Sequence, residues 1–138
     1  MIIDASIASE WFLKEEDSLQ ADALLKRGLV FSAPALIRME VSSAIAKAVR
    51  FYDLEAGSAD RLNALWHARL NKGLVKLVHD DAIEHQAFSL AVKYQHPLQD
   101  CLYIALAQQQ ALPLLSADVK QSAIAEQYSI EVLELSEV

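Results

Sequence analysis

Apolar positions along the chain fall into short runs separated by longer amphipathic stretches. Met1 to Ile3 is an apolar run that stops at Asp4, and it predicts a strand. Ser6 to Lys14 carries Ile7, Trp11 and Phe12 and predicts a short helix, and Asp17 or Ser18 can cap a second helix that runs to Arg27. The segment Lys26-Arg27-Gly28-Leu29-Val30 then places basic residues at a helix end, a glycine for the left-handed cap, and the start of a strand. The same punctuation recurs at Lys72-Gly73-Leu74-Val75. Pro34 suits the first turn of a third helix reaching about Arg50, and Asp53 opens a fourth that ends near Asn71. Leu74 to Val78 reads as a strand. Asp80 caps a fifth helix through Ile83, Ala87, Leu90 and Ala91, and Pro97 starts a sixth that closes in Gln108-Gln109-Gln110. Pro113 to Ser116 is a strand, a short helix spans about Val119 to Gln127, and Ile130 to Leu133 is the last strand.

Strands therefore alternate with helices along the whole chain. That order predicts a parallel sheet with helices on both faces. The strands are short and apolar, as strands buried on both sides must be.

Length and charge narrow the picture. A chain of 138 residues suits one domain, residues 1–138. A domain of this size buries roughly 68–70% of its unfolded surface, and 54% hydrophobic residues supply ample material for a core. No apolar run approaches the ~18 residues of a membrane helix. No basic region precedes an apolar stretch at the N-terminus, so no signal peptide is expected. Cys101 stands alone, which rules out an intrachain disulfide and argues against a cysteine zinc site. These features suit a reducing cytoplasm. The net charge of −7 argues against tight non-specific binding to nucleic acid. It leaves room for a cation, a basic protein partner, or a local basic rim.

Four acids occupy unusual places. Asp4 ends the first strand, and Asp118 follows the strand Leu114-Leu115-Ser116. Ligands of open parallel sheets gather beyond the carboxyl ends of the strands, where both would point. Glu40 has Leu36, Ile37, Ser43 and Ala44 as its helical neighbours, a largely core-facing surface. Asp100 enters a helix, Cys101 to Ala107, that is apolar on all sides and hence buried. Each has a plainer reading: Asp118 as an N-cap, Asp100 as a complement to the helix dipole, Asp4 as a turn residue. Glu40 is harder to explain that way, because an unpaired buried carboxylate costs several kcal/mol. If the four converge, ionised pairs at ~4 Å repel by roughly 4 kcal/mol at an effective dielectric near 20. Such a cluster takes up protons or a cation, and all-oxygen ligands select Mg²⁺ or Mn²⁺ over zinc.

Four segments, in order, carry a resemblance. They are Met1-Ile2-Ile3-Asp4-Ala5-Ser6 followed by Trp11-Phe12, then Ala33-Pro34-Ala35-Leu36 leading to Glu40-Val41 and Ala44, then Asp100 to Ala107, then Pro113-Leu114-Leu115-Ser116-Ala117-Asp118. Each carries one of the acids, and together the chain resembles VapC-type PIN domains, the toxins of type II toxin–antitoxin systems. The resemblance implies a three-layer α/β/α PIN-like fold with a central parallel sheet. It implies a Mg²⁺- or Mn²⁺-dependent endoribonuclease acting on RNA, a cognate antitoxin as partner, and a homodimer. By residue match, Asp4, Glu40, Asp100 and Asp118 form the acidic, metal-holding and catalytic site. Ser6 and Ser116 are supporting hydroxyls, or else simply caps and turn formers; related chains often have Thr at the latter position. Gln99 stands where an aromatic residue is common, and Val119-Lys120-Gln121 lack the further acid that some members carry.

Arg38, Lys47, Arg50 and Lys120 lie near these motifs and are candidates for phosphate contacts, or else solvated helix charges. His67, His79, His85 and His96 show no spacing that joins them to the acids, and read as structural or exposed. Cys101 reads as a small buried residue, and Trp11 and Phe12 as core or interface. Two rivals remain. One is a DNA-directed or structure-specific nuclease using the same acids. The other is a non-catalytic acidic switch or interaction module, such as a phospho-receiver; a single Asp at the first strand end, with Asp80-Asp81 only much later, fits that poorly.

Overall fold

The structure is a computed structural model that describes residues 1–13, 23 and 25–138. Among these residues are five strands: β1 (Ile2–Ile3), β2 (Phe31–Pro34), β3 (Val75–Val78), β4 (Leu114–Leu115) and β5 (Val132–Leu133). The α-helices are α1 (Ala5–Ser9), α2 (Ile37–Phe51), α3 (Ala56–Asn71), α4 (Glu84–Tyr94), α5 (Leu98–Gln110) and α6 (Val119–Gln127). The second helix expected from Asp17 or Ser18 lies largely outside the described residues.

All strand pairs are parallel, in the order β3-β2-β1-β4-β5. Ile2 pairs with both Ser32 and Leu114, so β1 is the middle strand. The chain winds outward from β1 through β2 to β3, then crosses back to β4 and on to β5. Parallel crossovers are right-handed, so reversing direction at β1 sends the helices of the two halves to opposite faces. The packing agrees: α1 meets α2 and α2 meets α3, while α4 meets α5 and α5 meets α6. The result is the expected three-layer α/β fold. The reversal also makes the gap beyond the carboxyl ends of β1 and β4 the topological switch point, where ligands of such sheets bind.

The core follows from composition. Ile2, Ile3, Leu114 and Leu115 are wholly buried, and the entire run Cys101 to Ala107 of α5 is buried against them. Burial of each large aliphatic side chain contributes roughly 1.5–3 kcal/mol. Trp11 and Phe12 join this core, Phe12 edge-on to the fully buried Trp66. The indole N–H of Trp66 donates to the Arg38 carbonyl at 3.1 Å and ties α3 to α2. Among the described residues, no helix is long and apolar enough to cross a membrane.

Glycine punctuation behaves as the sequence indicates at the end of α3. Gly73 takes a φ of +82°, and Leu74 N–H reaches back to the Arg69 carbonyl at 3.0 Å. Several boundaries move. Pro34 ends β2 instead of opening a helix: Ser32 N–H donates to Met1, so the alternation turns Pro34's missing donor toward β1 just where that strand stops. Asp53 adopts a φ of +57°, which no helix start allows, and α3 begins three residues later. Asp80 does not cap the helix that follows it. It sits in a 3₁₀ turn, Asp80–Ala82, and its Oδ1 accepts from Leu36 N–H at 3.2 Å. It therefore caps the entrance of α2, the helix of Glu40, from 44 positions away. The first helix is also shorter than expected, ending at Ser9 with turns from Glu10 to Phe12.

Candidate active site

Four elements deliver the four acids. Asp4 follows β1 and is the N-cap of α1, its carboxylate accepting from Ile7 N–H at 3.3 Å. Asp118 follows β4 and caps α6, accepting from Gln121 N–H at 3.0 Å. Glu40 lies in the first turn of α2 and Asp100 in the first turn of α5. The capping expected of Asp118 is thus real, and Asp4 caps as well. Neither role removes the acid from the cluster, because Asp118 raises the proton affinity of both Asp4 and Asp100 by its charge.

Asp4 is the most enclosed of the four, at 3% exposure. Two hydroxyls clamp it. Ser6 Oγ donates to Oδ1 at 2.5 Å, and Ser116 Oγ donates to Oδ2. Both serines are themselves fixed from behind: Ser6 Oγ accepts from Ala117 N–H at 3.2 Å and Ser116 Oγ from Asp118 N–H at 3.0 Å. With backbone N–H groups on their lone pairs, both hydroxyl hydrogens point at the carboxylate. Asp4 N–H also donates to the Leu115 carbonyl at 3.2 Å. The end of β1 and the β4–α6 loop are thereby stitched into one unit.

Glu40 Oε1 accepts from the hydroxyl of Tyr103, one turn beyond Asp100 on α5, at 2.6 Å. Asp100 Oδ2 lies 3.2 Å from His96 Nε2. Tyr103 and His96 are the partners that the sequence hid. His96 and Asp100 stand four apart, a helical contact distance, but Pro97 between them marks a helix boundary and masks it.

The electrostatics follow from this packing. Burial pushes the Asp4 carboxyl above its ordinary range, its three hydrogen bonds oppose that, and Asp118 adds to it. Burial also raises Glu40; the Tyr103 hydroxyl offsets part of this, and Asp100, Asp4 and Asp80 repel it further. Asp100 is raised by burial and by Asp118, against the pull of His96. The Tyr103 phenol is pushed well above its ordinary value by burial and then by Glu40. Cys101 is fully buried with its thiol pushed up to about 11, which leaves it inert. The four carboxylates, with Asp80 behind Glu40, thus share one field of like charge.

The remaining basic candidates lie on the surface. Arg38 is exposed and donates toward His67 Nδ1 at 3.1 Å; Arg50 lies over the Phe51 ring at 5.1 Å; Lys47 and Lys120 are exposed. None of the four is among the charges that act on Asp4, Glu40 or Asp100.

The donor chemistry fits a hard divalent cation, because the four acids offer oxygen donors and their mutual repulsion rewards a positive charge. Among the described residues, no three His, Cys, Asp or Glu side chains stand close enough to clasp an ion as they are placed.

Comparison with known proteins points one way. The family model of the PIN domain matches residues 1–127. No curated protein sequence matches the chain. Among solved structures, Mycobacterium tuberculosis VapC20, described as a sarcin-ricin loop cleaving toxin, is similar at a TM-score of 0.69 and 16% identity, covering 88% of this chain and 92% of that one. FitAcB from Neisseria gonorrhoeae is similar at 0.65 and 17%, covering 99% of each chain. A toxin–antitoxin complex from Klebsiella pneumoniae is similar at 0.63 and 16%, covering 99% and 98%. At such identities the structural likeness speaks for the fold.

Proposed function

This chain belongs to the PIN-domain family, and on that premise we propose that it is a divalent-metal-dependent endoribonuclease, the toxin of a toxin–antitoxin pair. The observation that carries the reading is the convergence of charge: acids from β1, α2, α5 and the β4–α6 loop repel one another at the switch point of the sheet. Carboxylates so arranged are stable together only with protons or a cation among them.

In this reading Asp4, Glu40, Asp100 and Asp118 hold Mg²⁺ or Mn²⁺. Such an ion, when bound, lowers the pKa of a water and offsets charge on a phosphoryl oxygen. The chain's own residues do the rest. Ser6 and Ser116 fix the Asp4 carboxylate, Tyr103 fixes Glu40, and His96 lies 3.2 Å from Asp100. Rigid placement is what allows an in-line displacement at a phosphodiester to gain from orientation. A carboxylate of raised proton affinity is suited to accept the proton of the attacking water. Arg38, Lys47, Arg50 and Lys120 are assigned to phosphate contacts outside the acidic centre.

RNA as substrate and an antitoxin as partner draw support from the relatives: VapC20 is described as cleaving the sarcin-ricin loop, and the Klebsiella structure is of a toxin–antitoxin complex. A homodimer is part of the same proposal, as is a cytoplasmic location. The test is incubation of the partner-free protein with a mixed RNA pool and a matched DNA pool, in Mg²⁺, Mn²⁺ or EDTA. RNA cleavage that needs the metal and is lost in Asp100→Asn supports the reading. Cleavage of DNA alone replaces it with a DNA-directed nuclease, and metal-independent cleavage that survives Asp100→Asn defeats the site.

A further inference from the structure

Helices α2 and α3 share a chain of polar contacts that the acidic centre does not use. The Arg38 guanidinium donates to His67 Nδ1 at 3.1 Å. His67 Nε2 lies 3.3 Å from Ser42 Oγ, and that hydroxyl donates to Asn63 Oδ1 at 2.6 Å. Arginine is a donor only and stays charged, so Nδ1 carries a lone pair and no proton. The imidazole is therefore neutral, with its one N–H on Nε2 and directed to Ser42. This order is the reverse of a hydrolytic serine–histidine pair, in which Nε2 accepts from the hydroxyl and Nδ1 faces an acid. What the chain of bonds holds is the guanidinium at its end.

Arg38 is thus fixed without being neutralised. Acids outnumber Lys and Arg in this chain, 19 to 12, yet among the described residues no carboxylate pairs with Arg38. Its backbone is pinned as well, by the bond from the buried Trp66 indole to its carbonyl. The side chain is exposed, and the guanidinium keeps further N–H donors for an anion. Among the described residues, no comparable hydrogen bond holds Lys47, Arg50 or Lys120. Arg38 also stands two residues before Glu40 in α2. Two residues turn a helix by roughly 200° and advance it by roughly 3 Å. Arg38 is therefore level with the acidic centre but on the opposite flank of α2, turned toward α3.

We propose that His67 is a positioning residue, whose neutral Nδ1 holds Arg38 ready for an RNA phosphate that flanks the one being cut. This rests on the ribonuclease reading above and adds to it how the strand is gripped beside the centre. A helix with its side chains is about 10–12 Å across. A guanidinium on the opposite flank of α2 is thus kept from the phosphate under attack, but a strand continuing over the start of α2 meets it. A contact so far from the reacting atoms is equal in ground state and transition state, so it adds to binding and not to turnover. Phosphate suits the group, because two N–H donors of one guanidinium match two phosphoryl oxygens. A side chain held in advance also avoids the rotamer entropy that a free arginine loses on binding. Protonation of His67 sets an N–H against the guanidinium and releases it. Among the described residues, the charged group that touches the ring from α2 is Arg38, while Ser42 and Asn63 are neutral.

The experiment has two parts, both on the full chain. Nitrogen NMR of the imidazoles at neutral pH, without RNA, reads the tautomer. A His67 signal with its proton on Nε2 is expected, assigned by its loss in His67→Asn, and a proton on Nδ1 overturns the inference. Cleavage kinetics on an RNA oligonucleotide that spans a bond cut in the mixed pool give the rest. Arg38→Ala should raise KM by about tenfold or more with little change in kcat. It should also flatten the slope of log KM against log salt by about 0.7, the share of one phosphate on a single strand. His67→Ala should raise KM by about two- to tenfold and leave that slope alone, since the charge remains. His67→Asn puts an amide oxygen near the place of Nδ1 and should restore most of the wild-type KM. Asn takes up no proton, so wild-type KM should rise relative to His67→Asn as pH falls from about 8 to about 5.5. The acids titrate in both proteins and cancel in that ratio. A fall in kcat as the main effect of Arg38→Ala, a salt slope unchanged by Arg38→Ala, or a KM in His67→Asn no better than in His67→Ala overturns the proposal and leaves the ribonuclease standing. A wild type that cuts no RNA overturns the ribonuclease reading and the phosphate role with it. Should His67→Ala not fold, the salt slope of Arg38→Ala and the pH ratio of wild type to His67→Asn decide the matter, and a flat ratio overturns the inference.

Discussion

Ser116→Ala tests the clamp on Asp4 most sharply. Ser116 is 2% exposed, and its hydroxyl is the donor to Asp4 Oδ2 and the acceptor for Asp118 N–H. Alanine removes both bonds and leaves a buried carboxylate with donors on Oδ1 only. A hydrogen bond to a charged group contributes about 1.5–3 kcal/mol, and a neutral one about 1. Water can recover part of the Asp118 bond, because that residue is only partly buried, so the expected loss is about 2–3 kcal/mol. For a domain of this length that lowers Tm by about 6–15 °C. The loss must also depend on pH. The Asp4 carboxyl is already raised in the folded state, and losing a donor raises it further. A raised carboxyl favours the fold while protonated and loses that contribution as pH rises through its titration. The deficit of Ser116→Ala against wild type is therefore smallest in acid and grows as pH increases. Denaturant unfolding of metal-free protein, run from about pH 4 to about pH 8, measures it. Ser116→Thr keeps the hydroxyl, so any packing penalty it carries should be constant with pH. A loss in Ser116→Ala that is below about 1 kcal/mol, or that does not change with pH, would refute the reading of Asp4 as an ionised group held by its serines.

Other expectations follow from the same field of charge. Asp100→Asn should bring RNA cleavage to background yet leave metal-free Tm equal or higher, since it relieves repulsion on Glu40; gel assay and calorimetry report the two effects, and a folded, fully active variant would remove Asp100 from the site. Wild-type Tm in EDTA should decline as pH rises above the ordinary carboxylate range, because Asp4, Glu40 and Asp100 are all raised. Mn²⁺ at about a hundredfold over its Kd should return about 2.7 kcal/mol, seen as a rise in Tm that is largest at the higher pH. Asp80→Ala removes the cap on α2 and should lose about 1 kcal/mol of stability, whereas Asp80→Asn keeps the cap and loses less; equal losses in denaturant titrations would show that the carboxylate acts otherwise than as a cap.

Much of this architecture is legible in the residues. The alternation of short apolar runs with amphipathic stretches gives the parallel sheet, and the all-apolar run after Asp100 marks α5 as the buried helix. Asp4 and Asp118 are readable because a strand's end is a fixed address in a parallel sheet. What stays hidden is set by tertiary contact. Asp80 precedes one helix and caps another, a choice made by the pairing of β2 with β3 and not by local spacing. Asp53 has the residue type of a cap, but the chain needs a left-handed turn there to bring α3 back against α2. Tyr103 sits inside an apolar run and looks like core; only the arrival of Glu40 from another helix gives its hydroxyl a task.

The bond between Ser116 and Asp4 joins residues 112 positions apart, and it has a consequence for the order of events. Chains emerge from the ribosome N-terminus first, at roughly 5–20 residues per second. The hydroxyl that fixes the first strand and its aspartate follows them on the order of ten seconds later. Until β4 is made, β1 lacks the strand that covers its second edge in the folded sheet. Glu40 likewise waits for Tyr103. A growing chain, or any fragment that stops short of residue 116, therefore holds every early acid but no assembled centre, and synthesis itself imposes the delay between the first residue of the site and its first moment of competence.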